Sequence, residues 1–161
     1  EIAYFDRGPI HEEHLVTGGY WSTYWYEGKI YGTEITRGLD IFELLASEYL
    51  TQNEIAAALL ADQGELFNPQ QQFRVTWPDV PVVARAYMDQ LARDSVLSKD
   101  VEEDLNAALS QADLVLNAGL TDAGLAGRIE SIVSDLADQG IHLNSLTDTL
   151  NGIVMSLSEG R

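Results

Sequence analysis

Along the last third of the chain, apolar residues recur at helical spacing three times over. Val101, Leu105, Ala108, Leu109, Ala112 and Leu116 form the first set, Leu125, Ile129, Ile132, Val133 and Leu136 the second, and Leu146, Leu150, Ile153, Val154 and Leu157 the third. Steps of four, seven and eight put each set on one stripe of a helix. Ser98, Thr121 and Ser145 stand where N-caps belong, with Gly119 and Gly140 after the first two helices. Connections of a few residues make neighbouring helices antiparallel, so an up-down-up bundle is expected. Asp79 before Pro81 announces a further helix to about Asp94, available as a fourth member. At about 0.8 kcal/mol per buried methylene, three such stripes suffice for a bundle that stands alone.

The first half follows a different rhythm. Tyr20-Trp21-Ser22-Thr23-Tyr24-Trp25-Tyr26 is aromatic and β-favouring, and Glu27-Gly28 offers a tight hairpin turn into Lys29–Ile35. Arg37-Gly38 repeats the device before Leu39-Asp40-Ile41-Phe42-Glu43-Leu44, where Leu39 and Ile41 share one face and Asp40, Phe42 and Leu44 the other. With residues 1–5 as a further strand, this predicts a four-stranded antiparallel meander over 1–45, the size of one β-propeller blade. Strand alternation sets Tyr20, Tyr24 and Tyr26 against Trp21 and Trp25, so both faces expect cover. Thr51-Gln52-Asn53-Glu54 has capping-box spacing and opens a short helix closed by Gly64. Residues 65–80 then read as an extended connecting arm that leans on its surroundings through Phe67, Phe73, Val75 and Trp77. The expected organisation is α+β: a meander over 1–45, a short helix and arm over 46–80, and a helical bundle over 81–161.

Composition sharpens this division. Ten of the fourteen aromatic residues fall in the first 50 positions, and none follows Tyr87. The absence of Cys excludes disulfides, Cys-based metal sites and thiol catalysis. Lys and Arg number 9 against 26 Asp and Glu, a formal charge of −17 that argues against nucleic acid and anionic lipid. Only Lys29 and Lys99 are lysines, a texture suited to a salt-rich or calcium-bearing medium. No apolar run approaches the roughly 20 residues of a membrane span. Beginning at Glu1-Ile2-Ala3 without Met or an apolar leader, the chain reads as a processed product or a piece of something longer.

Gly19 to Ile35, Arg37 to Leu44, Phe67 to Gln72, Val75 to Pro78 and the Pro81–Leu91 helix together resemble the C-terminal portion of bacterial LVIVD-repeat proteins. The likeness spans most of residues 1–95 and loosens afterwards. It implies a β-propeller context, export to the cell surface or beyond, and binding in place of a defined reaction; it supplies no catalytic residue.

Candidate chemistry is sparse. His11-Glu12-Glu13-His14 spaces its histidines three apart in a loop, not four apart on a helix as in the zinc-binding His-Glu-x-x-His motif. A metal-dependent hydrolase using His11 and His14 is the alternative from the enzyme class, and a stand-alone helical interaction domain is another. The aromatic run from Tyr20 to Tyr31 suits sheet packing better than a stacking platform, and it lacks the cations that nucleic-acid platforms carry. Asp100, Glu102, Glu103 and Asp104 suit the first turn of a helix, where the dipole favours carboxylates. No nucleophile elbow, phosphate loop, dinucleotide fingerprint or calcium loop occurs. The sequence therefore assigns no catalytic, cofactor-binding or metal residue and no cofactor. It predicts a non-enzymatic protein-binding or scaffolding module whose partner is propeller blades of the same parent or a second copy.

Overall fold

A computed structural model of the chain describes residues 2–64, 68, 70, 74–138 and 144–160. Its elements run β1 (Tyr20–Tyr26), β2 (Lys29–Glu34), β3 (Gly38–Phe42), α1 (Gln52–Ala58), α2 (Pro81–Arg93), α3 (Lys99–Asn117), α4 (Ala123–Asp138) and α5 (Asn144–Glu159). The class is α+β, as the two periodicities predict. Among the described residues, no helix is long and apolar enough to cross a membrane.

The helical stripes become one core. Leu105, Leu109, Ile129, Leu136, Leu146, Leu150, Ile153 and Leu157 are all but sealed from solvent, joined by Ala84 and Met88 of α2. In this bundle α2 packs on α3 and α5, α4 packs on α3 and α5, and α1 lies on α2 from outside. Ser98 caps α3 as its position predicts, accepting from the Val101 amide, and Gly119 follows with φ 66°. Three other caps differ from expectation. At α4 the Asp122 carboxylate, not Thr121, accepts from the Leu125 amide at 2.9 Å, while the Asp122 amide donates to Leu157 of α5. A charged acceptor serves an N-terminus better than a hydroxyl, and the link to α5 fixes its position. At α2 the N-cap is Val80, without a side-chain bond, because the Asp79 carboxylate lies against Gly152 of α5. Ser145 falls inside α5, and Gly140 lies outside the described residues.

The sheet is antiparallel in the order β1-β2-β3. Glu27 and Gly28 both take positive φ, 47° and 76°, which matches the twist of a two-residue hairpin. Gly28 also lies so close to Leu59, just past α1, that a Cβ would stand 2.2 Å from its methyl group. Among the described residues the sheet has three strands, and residues 2–5 of the strand expected over 1–5 do not join it. The chain before β1 instead crosses a sheet face through side chains. The Phe5 ring meets Phe42 at 4.7 Å, Arg7 pairs with Asp40, and Arg37 donates to the Pro9 carbonyl at 3.0 Å. Ring packing over a face and strand pairing at an edge need different backbone paths, and the Asp6–Gly8 turn, closed at 2.7 Å, takes the first.

Tyr20 corrects a second expectation. The register shifts between Tyr20 and Ser22, a bulge that leaves Trp21 80% exposed and turns Tyr20 away from Tyr24. Its ring lies over Gly32, where a Cβ would be only 2.8 Å from it, and its hydroxyl donates to Asp40 at 2.5 Å. Tyr20 thus shares the face of Asp40 and Phe42. The register places Tyr24, Tyr31, Leu39 and Ile41 on the opposite face, as the alternation of β3 predicts. That face is uncovered, with Leu39 58% and Ile41 57% exposed. Of the sheet residues only Gly32 and Glu34 are buried.

The two halves should therefore respond differently to truncation. Leu150→Ala, which empties a sealed core position, is expected to cost about 2–5 kcal/mol in chemical denaturation. Ile41→Ala, on the open face, should cost about 0.5 kcal/mol or less.

Candidate functional site

Where the sheet meets the helices, the chain leaves a cleft of about 920 Å³. Its floor is built from alanines, Ala57, Ala58 and Ala61 after the α1 start and Ala86 on α2, whose side chains end at Cβ and leave the space unfilled. Aromatic walls surround it. Trp25 comes from the end of β1, Tyr49 from the segment before α1, Tyr87 from α2 and Trp77 from the arm. Two polar contacts place these walls. The Gln63 amide donates to the Trp25 carbonyl at 3.2 Å, and the Asp62 amide donates to the Thr76 carbonyl at 2.8 Å, drawing Val75 and Trp77 back across α1. Of the arm positions read from sequence, Val75 and Trp77 line the cleft, Trp77 at 42% exposure; Phe67 and Phe73 lie outside the described residues.

The mouth of the cleft is charged. Arg93 at the end of α2 grips Glu54 with both guanidinium nitrogens, at 2.8 and 2.5 Å. The same carboxylate closes the capping box of α1 by accepting from the Thr51 amide at 2.8 Å. Thr51 accepts from the Glu54 amide and donates to Asp89 at 2.5 Å, and Asn53 donates to Asp89 at 2.9 Å. The Arg93 hydrogen bonds foremost, with the Thr51 amide, hold the Glu54 carboxyl below the usual carboxylate range. Thr51-x-x-Glu54 was legible as a capping box. Its partners Asp89 and Arg93 are 38 and 39 residues away and carry no local signal.

A second carboxylate organises the sheet. Glu34 is buried at the end of β2 and accepts from the backbone amides of Gly19, Thr36 and Arg37, the first two at 2.8 and 2.9 Å. The Gly19 amide above all lowers its pKa. This cradle fixes the entry to β1 and the turn into β3, and it presents no free oxygen to a reactant.

The remaining sequence candidates are resolved by their neighbours. His11 accepts from the amides of Glu13 and His14 through Nδ1, both at 3.1 Å, and the two rings meet edge to face at 4.5 Å. The dyad holds an exposed turn. Among the described residues, no group of three or more His, Asp or Glu is placed to hold a metal ion. In the acidic stretch, Asp100 and Glu102 occupy the first turn of α3, and Asp104 pairs with Arg128 of α4. The aromatic run divides by position. Tyr20 lies over Gly32 and Trp25 lines the cleft, while Tyr20, Tyr24 and Tyr26 alike remain partly open to solvent. Compared with family models, with curated proteins and with solved structures, the chain matches none.

The clamp has a pH signature. Because the folded-state pKa of Glu54 lies below its unfolded value, its stabilisation is complete above that unfolded value, about 4.3, and is lost as pH falls through the folded pKa. Glu54→Gln is expected to lower stability by about 1–2 kcal/mol at neutral pH. In acid the variant and the parent should converge, as followed by urea denaturation at stepped pH.

Proposed function

We propose that the chain is a non-enzymatic protein-binding or scaffolding module, acting outside the cell or on its surface, that works by lending its sheet to a neighbouring sheet. The observation that carries this reading is the open face of Tyr24, Tyr31, Leu39 and Ile41, set on a three-stranded sheet beside a bundle that already seals its own core. A small antiparallel sheet with one apolar face bare gains most of its stability from what covers that face. Aromatic and aliphatic side chains in a flat row, flanked by the Ser22–Thr33 hydroxyl pair and the Lys29–Glu43 ion pair, make a centre-and-rim pattern suited to protein contact.

The resemblance read from most of residues 1–95 to LVIVD-repeat proteins supports the choice of partner: propeller blades of the same parent, or a second copy presenting the same face. The acidic surface supports export and disfavours nucleic acid as a partner. The non-enzymatic reading is supported by the polar clusters, since both oxygens of Glu54 and of Glu34 are bonded within the fold, His11 holds a turn and Asp104 pairs with Arg128.

Light scattering tests this directly. The expected result is a mass that rises with concentration above the 17.8 kDa of one chain. Ile41→Lys should return it to one chain with its helical circular dichroism unchanged. A protein that stays at one chain's mass throughout the concentration range, and that responds in no way to Ile41→Lys, overturns the proposal.

A further inference from the structure

We infer that the cleft between the sheet, α1 and α2 binds a small organic cation with a flat apolar body. Three observations define that ligand. The first is scale: about 920 Å³ lies within the range of small-molecule pockets, whereas a protein partner needs a far broader surface. The second is the wall. Trp25, Tyr49, Trp77 and Tyr87 present four ring systems above an alanine floor, and rings attract cations through the negative potential of their faces. The third is the sign of the mouth. Glu54 and Asp94 line the mouth against the single guanidinium of Arg93, which is paired with Glu54, so the rim keeps a surplus of negative charge.

The partners of these acids show which one is available. Glu54 is taken by Arg93 and the Thr51 amide, and Asp89 by Thr51 and Asn53. Asp94 also lines the cleft; its backbone amide donates to the Gln90 carbonyl, while its carboxylate makes no hydrogen bond or ion pair among the described residues. An anion would meet this surplus unfavourably, and a neutral apolar molecule would leave Asp94 without a use. An amine or quaternary ammonium joined to an aryl or alkyl body places its charge beside Asp94 and its body among the rings.

The test uses the full chain with Trp21→Phe, so that the fluorescence of Trp25 and Trp77 reports the cleft alone. The probes are 4-phenylbutylamine and its neutral counterpart 4-phenylbutan-1-ol. The expected result is saturable quenching by the amine at about tenfold lower concentration than by the alcohol, the size of a partly exposed charge interaction. Asp94→Asn should shrink that ratio to about twofold or less. Ala58→Leu, which fills the floor from a half-buried position, should weaken both probes, with circular dichroism confirming an intact fold. Equal affinity for amine and alcohol overturns the inference, as does a ratio indifferent to Asp94→Asn. Saturable binding of neither probe overturns it too.

Discussion

The guanidinium of Arg93, holding both oxygens of Glu54, is the joint on which the arrangement of the two halves depends. Glu54 is already committed to the N-terminus of α1, where it completes a capping box. By taking the same carboxylate, Arg93 makes the start of α1 and the end of α2 a single hydrogen-bonded unit, reinforced by Asp89 on Thr51 and Asn53. A seven-residue helix is too short to persist alone, so α1 owes its existence to this grip and to its packing on α2. Leu59 against Gly28, Gln63 on Trp25 and the Asp62–Thr76 bridge are all placed from α1. Losing the clamp would loosen the sheet, the arm and the cleft together, while α2 to α5 would keep their own core.

The energetics of the two halves are unequal for a simple reason. The bundle buries long aliphatic side chains between four helices, and each sealed Leu or Ile contributes about 1.5–3 kcal/mol relative to exposure. The sheet buries a glycine and a hydrogen-bonded glutamate, and its rings serve mostly as a surface. What holds it is the ladder, the Glu34 cradle and the chain before β1, which lays Phe5 on Phe42 and Arg7 on Asp40. Surface ion pairs of that kind add little each. The charge of −17 fits the same division, since five of the described cations, Arg7, Lys29, Arg85, Arg93 and Arg128, are drawn into ion pairs while most acids remain in solvent.

Much of this was legible because it is local. Helical periodicity marked nearly every sealed position of α3, α4 and α5, and the paired turn signals at Glu27-Gly28 and Arg37-Gly38 placed three strands within two residues. What escaped was whatever depends on a distant partner. Asp79 has the spacing of an N-cap, but α5 offers its carboxylate another place beside Gly152. Residues 2–5 have strand composition, yet Phe42 captures the Phe5 ring and takes the backbone over the face. The bulge at Trp21 is invisible to a strict count of two, and it decides which face Tyr20 joins. The cleft is the extreme case: its alanines and aromatics come from four separated segments, each unremarkable by itself.

The bundle seals its own core while the sheet leaves one face open to solvent. Native-state hydrogen exchange of the isolated chain, resolved by residue, measures this contrast most directly. Amides of α3 and α5 should exchange only with global unfolding, and those of β1–β3 through local openings several kcal/mol cheaper. Sheet amides as slow as those of α5 in the lone chain would contradict that.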